Sequence, residues 1–194
     1  MAFDLDDGEK NYNDVTRKLR EDKVAFLGYS SFNHMRAKDG AAPVEKFRII
    51  VFITAPCQLY DADQHECALR VSSYKRAYLA VGAHYGLRVD KTCCNPARFF
   101  YSPAHDGSVV ASKHAFIDVD GYDTGTPLDF DTFVAVARAA VIAEYEASEK
   151  RKEARAAKRA KKQERRAAYE TVGLDRFVQD CGAGRIMRTA IFCA

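Results

Sequence analysis

Two acidic residues flank a single leucine near the start of the chain, where Asp4 and Asp6 lie in the segment MAFDLDDG. Phe3 and Leu5 alternate with these acids, which predicts a β-strand with both carboxylates on one face, about 7 Å apart. Hard divalent cations such as Mg²⁺ and Mn²⁺ prefer such oxygen ligands. The spacing therefore suggests a cation site, and an exposed strand end is the alternative.

Four further residues have side chains suited to phosphate or metal chemistry. His34 closes the segment YSSFNH, and imidazole N–H groups are good phosphate donors. Arg48 lies in KFRIIVFI and Arg98 in NPARFFYSP, and a guanidinium can bind phosphate through two parallel hydrogen bonds. Asp90 follows a predicted helix, whose dipole disfavours an acid there unless a cation or donor meets it. A surface histidine and strand-end charges are the alternative interpretations.

The elements that must position these residues alternate between strand and helix patterns. After the first strand, apolar spacing predicts a helix over 10–22 and strands over 23–32 and 47–53. It then predicts a helix within 61–87, ended by Gly86, and a strand over 97–102. We therefore expect an α+β core with about four strands.

A second acidic pair, Asp118 and Asp120, occurs in the turn-rich region 103–129, which could form a closing hairpin. Gly121 and the surrounding Thr, Gly and Pro residues favour a turn over a set of metal ligands. From Phe130 an apolar stripe predicts a helix, and the stripe fades near Ser148.

The helix pattern continues into a strongly basic segment. Residues 150–166 contain ten Lys or Arg and two Glu, a net charge of +8 in a chain of net charge +3. Such a charge excess favours nucleic-acid phosphates as the partner, and a solvated helix is the alternative. The residues expected to bind nucleic acid are Lys150, Arg151, Lys152, Arg155, Lys158, Arg159, Lys161 and Lys162.

Several protein classes are disfavoured by composition. No run approaches the ~18 apolar residues of a membrane span, and the acidic start is unlike a secretory signal, so we expect a cytoplasmic protein. The six cysteines lack a CxxC pair, and adjacent Cys93 and Cys94 are weak evidence for zinc. The chain has no GxxxxGK[ST] motor motif and no closely spaced histidine pair of a rolling-circle nicking enzyme.

The succession DLDDG, YSSFNH, KFRIIVFI, GLRVD and NPARFFYSP, over roughly residues 1–105, resembles the archaeo-eukaryotic primase superfamily. The similarity is to the primase-polymerases of plasmids, phages and mobile elements, which share an acidic DxD motif, a Ser-x-His motif and an apolar-Asp motif. It implies an RRM-like antiparallel sheet with packed helices, followed here by a long basic C-terminal helix. By position, Asp4, Asp6 and Asp90 would bind metal, His34 would contact nucleotide phosphates, and Arg48 and Arg98 would lie beside the site.

The implied activity is DNA-directed nucleotidyl transfer in plasmid or phage DNA replication. It would use Mg²⁺ or Mn²⁺, nucleoside triphosphates, a single-stranded DNA template and, where strands must be opened, a separate helicase. We expect a catalytic core over 1–129, a long basic helix over 130–170 and a tail over 171–194, and whether a further N-terminal segment completes the core is left open. Because the second motif reads Phe-Asn-His at 32–34, the alternative is a catalytically weak or inactive primase-like protein that binds DNA during replication.

Overall fold

The computed structural model describes residues 1–6, 8, 10–37, 40–87, 89, 91–97, 107 and 112–182, the side chains of 91, 169 and 171–182 excepted. Two compact units comprise Met1–Ile142 and Ala143–Ala194. The elements are β1 (Ala2–Leu5), α1 (Tyr12–Glu21), β2 (Phe26–Ser30), β3 (Phe47–Val51), α2 (Gln64–His84), a 3₁₀ turn (Lys91–Cys94), β4 (Ile117–Asp118), α3 (Asp120–Thr124) and α4 (Phe130–Gly182).

The four strands form one antiparallel sheet in the order β1-β3-β2-β4. The register places Asp4 opposite Arg48, and Arg48 opposite Tyr29, across three adjacent strands. Directly opposed residues of an antiparallel pair share a face of the sheet. The expected α+β class with a long C-terminal helix is therefore confirmed, and the register brings residues from three strands into one row.

Local signals in the sequence explain where the helices begin and end. The side chain of Asn11 accepts a hydrogen bond from the amide of Asp14 (2.9 Å) and caps α1, and Asp63 caps α2 in the same way. After α2, Gly86 adopts φ +66°, a left-handed conformation that glycine tolerates best. These caps fix the ends of the two helices that cover the sheet.

The hydrophobic core lies between one face of the sheet and the helices α1 and α2. Phe3 stacks on Tyr78 of α2 with ring centroids 4.6 Å apart, and Phe47 meets Tyr12 of α1 edge-on at 5.2 Å. Each fully buried side chain of this kind contributes roughly 1.5–3 kcal/mol to stability. Because strand residues alternate in direction, the polar residues of the Asp4 row are left on the opposite face.

One helix boundary differs from the sequence-based expectations, and one expected strand is not tested. The fourth described strand is Ile117–Asp118, inside the region expected to form a hairpin, whereas residues 98–102 of the expected strand 97–102 lie outside the described residues. Helix α4 continues to Gly182, past the expected boundary at residue 170, and it includes Gly173, because a single glycine weakens a helix by about 1 kcal/mol without necessarily ending it. Among the described helices, none is both long and apolar enough to cross a membrane.

Candidate functional site

The first strand presents Asp4 on the face of the sheet opposite the core. Its neighbours Phe3 and Leu5 are buried, so the alternation of β1 leaves Asp4 pointing away from the helices. Arg48 on β3 donates from Nε to Asp4 Oδ1 at 3.2 Å and from a terminal nitrogen to Oδ2 at 3.4 Å. Only 10% of the Asp4 side chain and 15% of the Arg48 side chain are exposed. The pair is therefore a largely buried, two-point ion pair.

Arg48 is further constrained by the strand on its other side. Tyr29, its partner on β2, is buried and also hydrogen-bonds to the guanidinium. Burial lowers the pKa of Arg48, but the charge of Asp4 and the hydrogen bonds to Asp4 and Tyr29 outweigh that effect and raise it. Arg48 is thus a fixed positive charge in the centre of the row.

Asp6 continues the acidic site beyond the end of β1. Burial raises the pKa of Asp6, and Asp4 raises it further through its charge and a hydrogen bond between the two side chains, while Lys46 and Arg48 oppose the rise. Asp4 and Asp6 therefore form a close acidic pair in which the pKa of Asp6 is raised.

The donor set of this pair suits a hard divalent cation. Mg²⁺ is usually bound by one or two carboxylates, with substrate phosphates and water completing its coordination. Within the described residues, no group of three or more His, Cys, Asp or Glu side chains is placed to hold a metal ion. Asp90, the third expected ligand, and Arg98 lie outside the described residues.

His34 lies in a different environment from the acidic pair. It is buried, with 3% of its surface exposed, and its ring meets Phe116 edge-on with centroids 5.5 Å apart. Its Nδ1 is 3.0 Å from the amide nitrogen of Lys46 and 2.9 Å from the carbonyl oxygen of that residue. The backbone of Lys46 can therefore orient the ring in either neutral tautomer.

A polar cleft of about 670 Å³ lies beside His34, and neither Asp4 nor Asp6 is among the described residues that line it. At its rim the N-terminus of α1 meets an acid, because the amide of Tyr12 donates to Glu45 at 2.9 Å. The lining residues are Asn11, Tyr12, Asn13, Asp14, His34, Met35, Glu45, His114 and Phe116. The structure thus brings together Asp4, Asp6 and Arg48, and associates His34 with a separate cleft.

Ser30 and Ser31, which precede His34, form hydrogen bonds that connect β2 to the backbone of Phe116 and Lys46. Ser30 is buried and exchanges hydrogen bonds with the backbone of Phe116, at 3.2 Å to its carbonyl and 3.1 Å from its amide. Ser31 is also buried, and its amide donates to the carbonyl of Lys46 at 2.9 Å. These contacts tie β2 to its neighbours next to the cleft.

The second acidic pair, Asp118 and Asp120, forms hydrogen bonds within the fold. Asp118 on β4 accepts hydrogen bonds from the hydroxyl of Tyr12 at 2.6 Å and from Arg20. The Tyr12 side chain passes over Gly28 to reach Asp118. A Cβ atom at residue 28 would overlap the tyrosine hydroxyl, so the approach depends on glycine. Asp120 starts α3, and its amide donates to Asp118 at 3.1 Å. Asp118 therefore links α1 to β4, two elements far apart in the sequence.

Sequence reasoning did not assign two residues that belong to the acidic site. Tyr29 contacts Arg48, and the charge of Lys46 lowers the pKa of Asp6 while its backbone orients His34. For Lys46, the one signal in the sequence is its position two residues before Arg48, which puts both on the same face of a strand. The role of Tyr29 depends on the pairing register of β2 with β3, which no local pattern specifies.

The basic segment forms part of α4, and every side chain from Lys150 to Ala168 is exposed. Within the 3₁₀ turn Lys91–Cys94, Cys93 is buried and Cys94 half-buried, and neither forms a disulfide with another described cysteine. Comparison of the chain with protein-family models, with curated proteins and with solved structures finds no match.

Proposed function

We propose that the chain is a DNA-directed nucleotidyltransferase of the primase-polymerase type that acts in plasmid or phage DNA replication. The observation that carries the proposal is the acidic pair of Asp4 and Asp6 beside Arg48, which contacts Asp4 across two strands of the antiparallel sheet. An acidic pair of this kind suits a Mg²⁺ or Mn²⁺ ion that also binds substrate phosphates. The β-α-β-β-α-β order of elements and the β1-β3-β2 arrangement agree with the RRM-like fold that the proposal entails, whereas β4 lies beside β2 and not beside β1 as in that fold.

Each residue of the site has a defined role in this proposal. Asp4 and Asp6 would hold the cation, with Asp90 as the third ligand that the resemblance implies. Arg48, assisted by Arg98, would neutralise the triphosphate, because a guanidinium matches the geometry of phosphate oxygens. A bound cation would activate the attacking 3′-hydroxyl and stabilise the leaving pyrophosphate. The substrates would be nucleoside triphosphates and a single-stranded DNA template.

The resemblance gives His34 a contact with the phosphates of the incoming nucleotide, and its cleft, which Asp4 and Asp6 do not line, would have to hold a different part of the nucleotide from the acidic pair. The volume of about 670 Å³ lies within the range of small-molecule sites, roughly 300–1,000 Å³. The ring is held by Lys46 and packed against Phe116, so a ligand would meet an imidazole whose orientation is already fixed. Such preorganisation lowers the entropy lost on binding.

One observation favours a second candidate, a catalytically weak or inactive primase-like protein that binds DNA. Arg48 engages both oxygens of Asp4, which compensates the carboxylate without a cation. A site stabilised in this way can persist as a structural ion pair after catalysis has been lost. The two candidates differ in whether a divalent cation binds at Asp4 and Asp6.

The test compares purified wild-type protein with the double variant Asp4→Asn, Asp6→Asn, shown by circular dichroism to be folded, on a single-stranded template with nucleotides and Mn²⁺ or Mg²⁺. We expect template-dependent products from the wild type and a loss on the order of 100-fold or more in the variant. The matched control is Asp120→Asn, Asp123→Asn, which removes two exposed carboxylates of α3 and should retain activity.

A second readout separates the two candidates without relying on activity. A cation that binds only the folded state raises the melting temperature, so Mn²⁺ should stabilise the wild type and the control but not the Asp4, Asp6 variant. Products together with this stabilisation would support the polymerase. Folded wild-type protein that binds DNA, yields no product and is not stabilised by Mn²⁺ would favour the non-catalytic candidate.

A further inference from the structure

The basic segment of α4 has its charges sorted onto one side of the helix. With about 100° between successive residues of an α-helix, all the Lys and Arg side chains of residues 150–166 fall within an arc of roughly 200°. We call this surface the basic face, and its members are Lys150, Arg151, Lys152, Arg155, Lys158, Arg159, Lys161, Lys162, Arg165 and Arg166. The opposite arc carries Glu149, Glu153, Ala156, Ala160, Glu164 and Ala167.

Little of the positive charge on the basic face is compensated within the described part of the chain. Ion pairs there join Lys152 to Glu149 at 2.7 Å and Arg166 to Glu170 at 3.1 Å. Glu153 and Glu164 lie on the opposite arc, too far around the helix for close contact with most of these cations. Adjacent like charges repel, so the arrangement is best stabilised by an external anion of matching length.

The cations are also clustered closely enough to act on one ligand. Lys158, Lys162 and Arg165 follow one another at helical spacing, and together with Lys161 and Arg166 they surround an open surface recess of about 450 Å³. From residue 150 to 166 the helix advances about 24 Å, and duplex DNA carries one phosphate per roughly 1.7 Å of its axis. A duplex backbone therefore supplies anions at a sufficient density along the whole face.

Composition distinguishes a duplex from other anionic partners. Proteins that bind single strands without sequence preference combine basic grooves with aromatic side chains that stack on bases, and residues 146–168 contain no Phe, Tyr or Trp. Helices that lie on membranes place large apolar side chains opposite their basic face, where this helix has Ala and Glu. Neither alternative fits the composition of the segment.

We propose that the basic face of α4 binds the phosphate backbone of a nucleic-acid duplex, independently of base sequence. The proposal goes beyond the catalytic one and does not depend on it, because it rests on a different compact unit and on different residues. A chain without polymerase activity would still bind a duplex through this face. The chemistry recognised is the regular double row of phosphates, which both DNA and RNA duplexes offer.

The test measures binding of the full chain to fluorescent 20-base-pair DNA duplexes of two unrelated sequences, in EDTA, between 50 and 200 mM salt. A triple variant, Lys158→Gln, Lys162→Gln, Arg165→Gln, removes three charges from the basic face with residues that favour helix. The matched control, Arg17→Gln, Lys75→Gln, Lys113→Gln, removes three exposed charges from the first unit. Both variants have the same net charge, and circular dichroism checks that both retain their helix.

We expect similar affinity for the two duplex sequences and a steep decrease with salt. Each phosphate contact contributes about −0.9 to the slope of log K against log salt, so the triple variant should reduce the slope by about 2.7. Its affinity at 100 mM salt should fall by about 10-fold or more, whereas the control should change the slope by less than about 1. A duplex RNA of equal length shows which duplex is preferred, and binding to either supports the proposal.

Three outcomes would overturn the proposal. Tighter binding to a single strand of equal length that is lost in the triple variant would assign the face to single-stranded nucleic acid. Equal binding to anionic phospholipid vesicles would assign it to charge alone. An equal loss of affinity in the triple variant and the control would mean that the duplex is bound through the overall charge of the chain. The Asp4, Asp6 variant should bind the duplex like the wild type, which keeps this result separate from the catalytic one.

Discussion

Helix α4 carries cations of two kinds, and the contrast separates charges that hold the fold from charges available to a partner. In the first unit, Arg138 of this helix donates to both oxygens of Glu66 on α2, at 2.8 and 2.9 Å. Farther along the same helix, the cations of the basic face lie beside one another with few acids in reach. The first unit has further compensated cations of this kind in the pairs Arg48–Asp4, Arg20–Asp118 and Arg70–Asp61.

The clearest consequence is that removing a cation from the first unit should destabilise the fold. Arg48→Met is expected to lower the free energy of unfolding by about 3 kcal/mol at pH 7, because it leaves Asp4 buried and uncompensated. Urea unfolding followed by tyrosine fluorescence measures the change, since the chain has no tryptophan. The control is Arg17→Met, whose partner Glu21 is 4.0 Å away and exposed, and it should change stability by less than about 0.5 kcal/mol.

This loss should depend on pH in a defined direction. The pKa of Asp6 is already raised, by burial first and then by Asp4, and Arg48 is one of the groups that oppose the rise. Without Arg48 it should rise further, and an acid with a raised pKa in the folded state destabilises the protein above that pKa. The deficit of the variant should therefore shrink from pH 7 to pH 4, as the carboxyl takes up its proton in the folded state and then begins to do so in the unfolded state. A deficit that is constant with pH would contradict this account of the site.

A smaller effect is expected where a hydrogen bond is removed and the ion pair remains. Tyr12→Phe deletes the hydroxyl that donates to Asp118 at 2.6 Å, while Arg20 still contacts that carboxylate. We expect a loss of about 1 kcal/mol in the free energy of unfolding, because the ring keeps its packing against Phe47. Tyr60→Phe is the control, since Tyr60 is 74% exposed and its substitution should leave the free energy of unfolding unchanged. Equal losses in both variants would show that the Asp118 contact adds nothing.

The smallest effect is expected from the basic face. The triple variant at Lys158, Lys162 and Arg165 should change the unfolding free energy of the first unit by less than about 0.5 kcal/mol, because these exposed cations form no ion pair with another described side chain and exposed charges contribute little to a fold. The same urea titration measures it. A loss of more than 1 kcal/mol would mean that these residues stabilise the protein, and the contrast between the two parts of α4 would disappear.

The sequence predicts features that depend on neighbours along the chain. Alternation placed Phe3 in the core and Asp4 on the other face, and Gly86 was correctly expected to stop α2. Capping, periodicity and turn preferences act over a few residues, so they can be recognised in one sequence. The α+β class follows from the same local signals.

Features that depend on tertiary pairing could not be predicted in this way. The contact of Arg48 with Asp4 and Tyr29 follows from the strand register, and the link between Tyr12 and Asp118 joins residues 106 positions apart. His34 was expected to face phosphate as a polar strand-end residue, but its burial depends on the packing of Phe116 and the backbone of Lys46. Long-range contacts of this kind have no local signature in the chain.

The close approach of Tyr12 to Gly28 has a consequence for how the sequence can diverge. A methyl group at residue 28 would collide with the tyrosine hydroxyl, and that hydroxyl serves a carboxylate at residue 118. The three positions are therefore coupled. A smaller residue at 12 permits a larger one at 28 and removes the need for an acid at 118. Natural variants of this fold should change these positions together, and single changes among them should be rare.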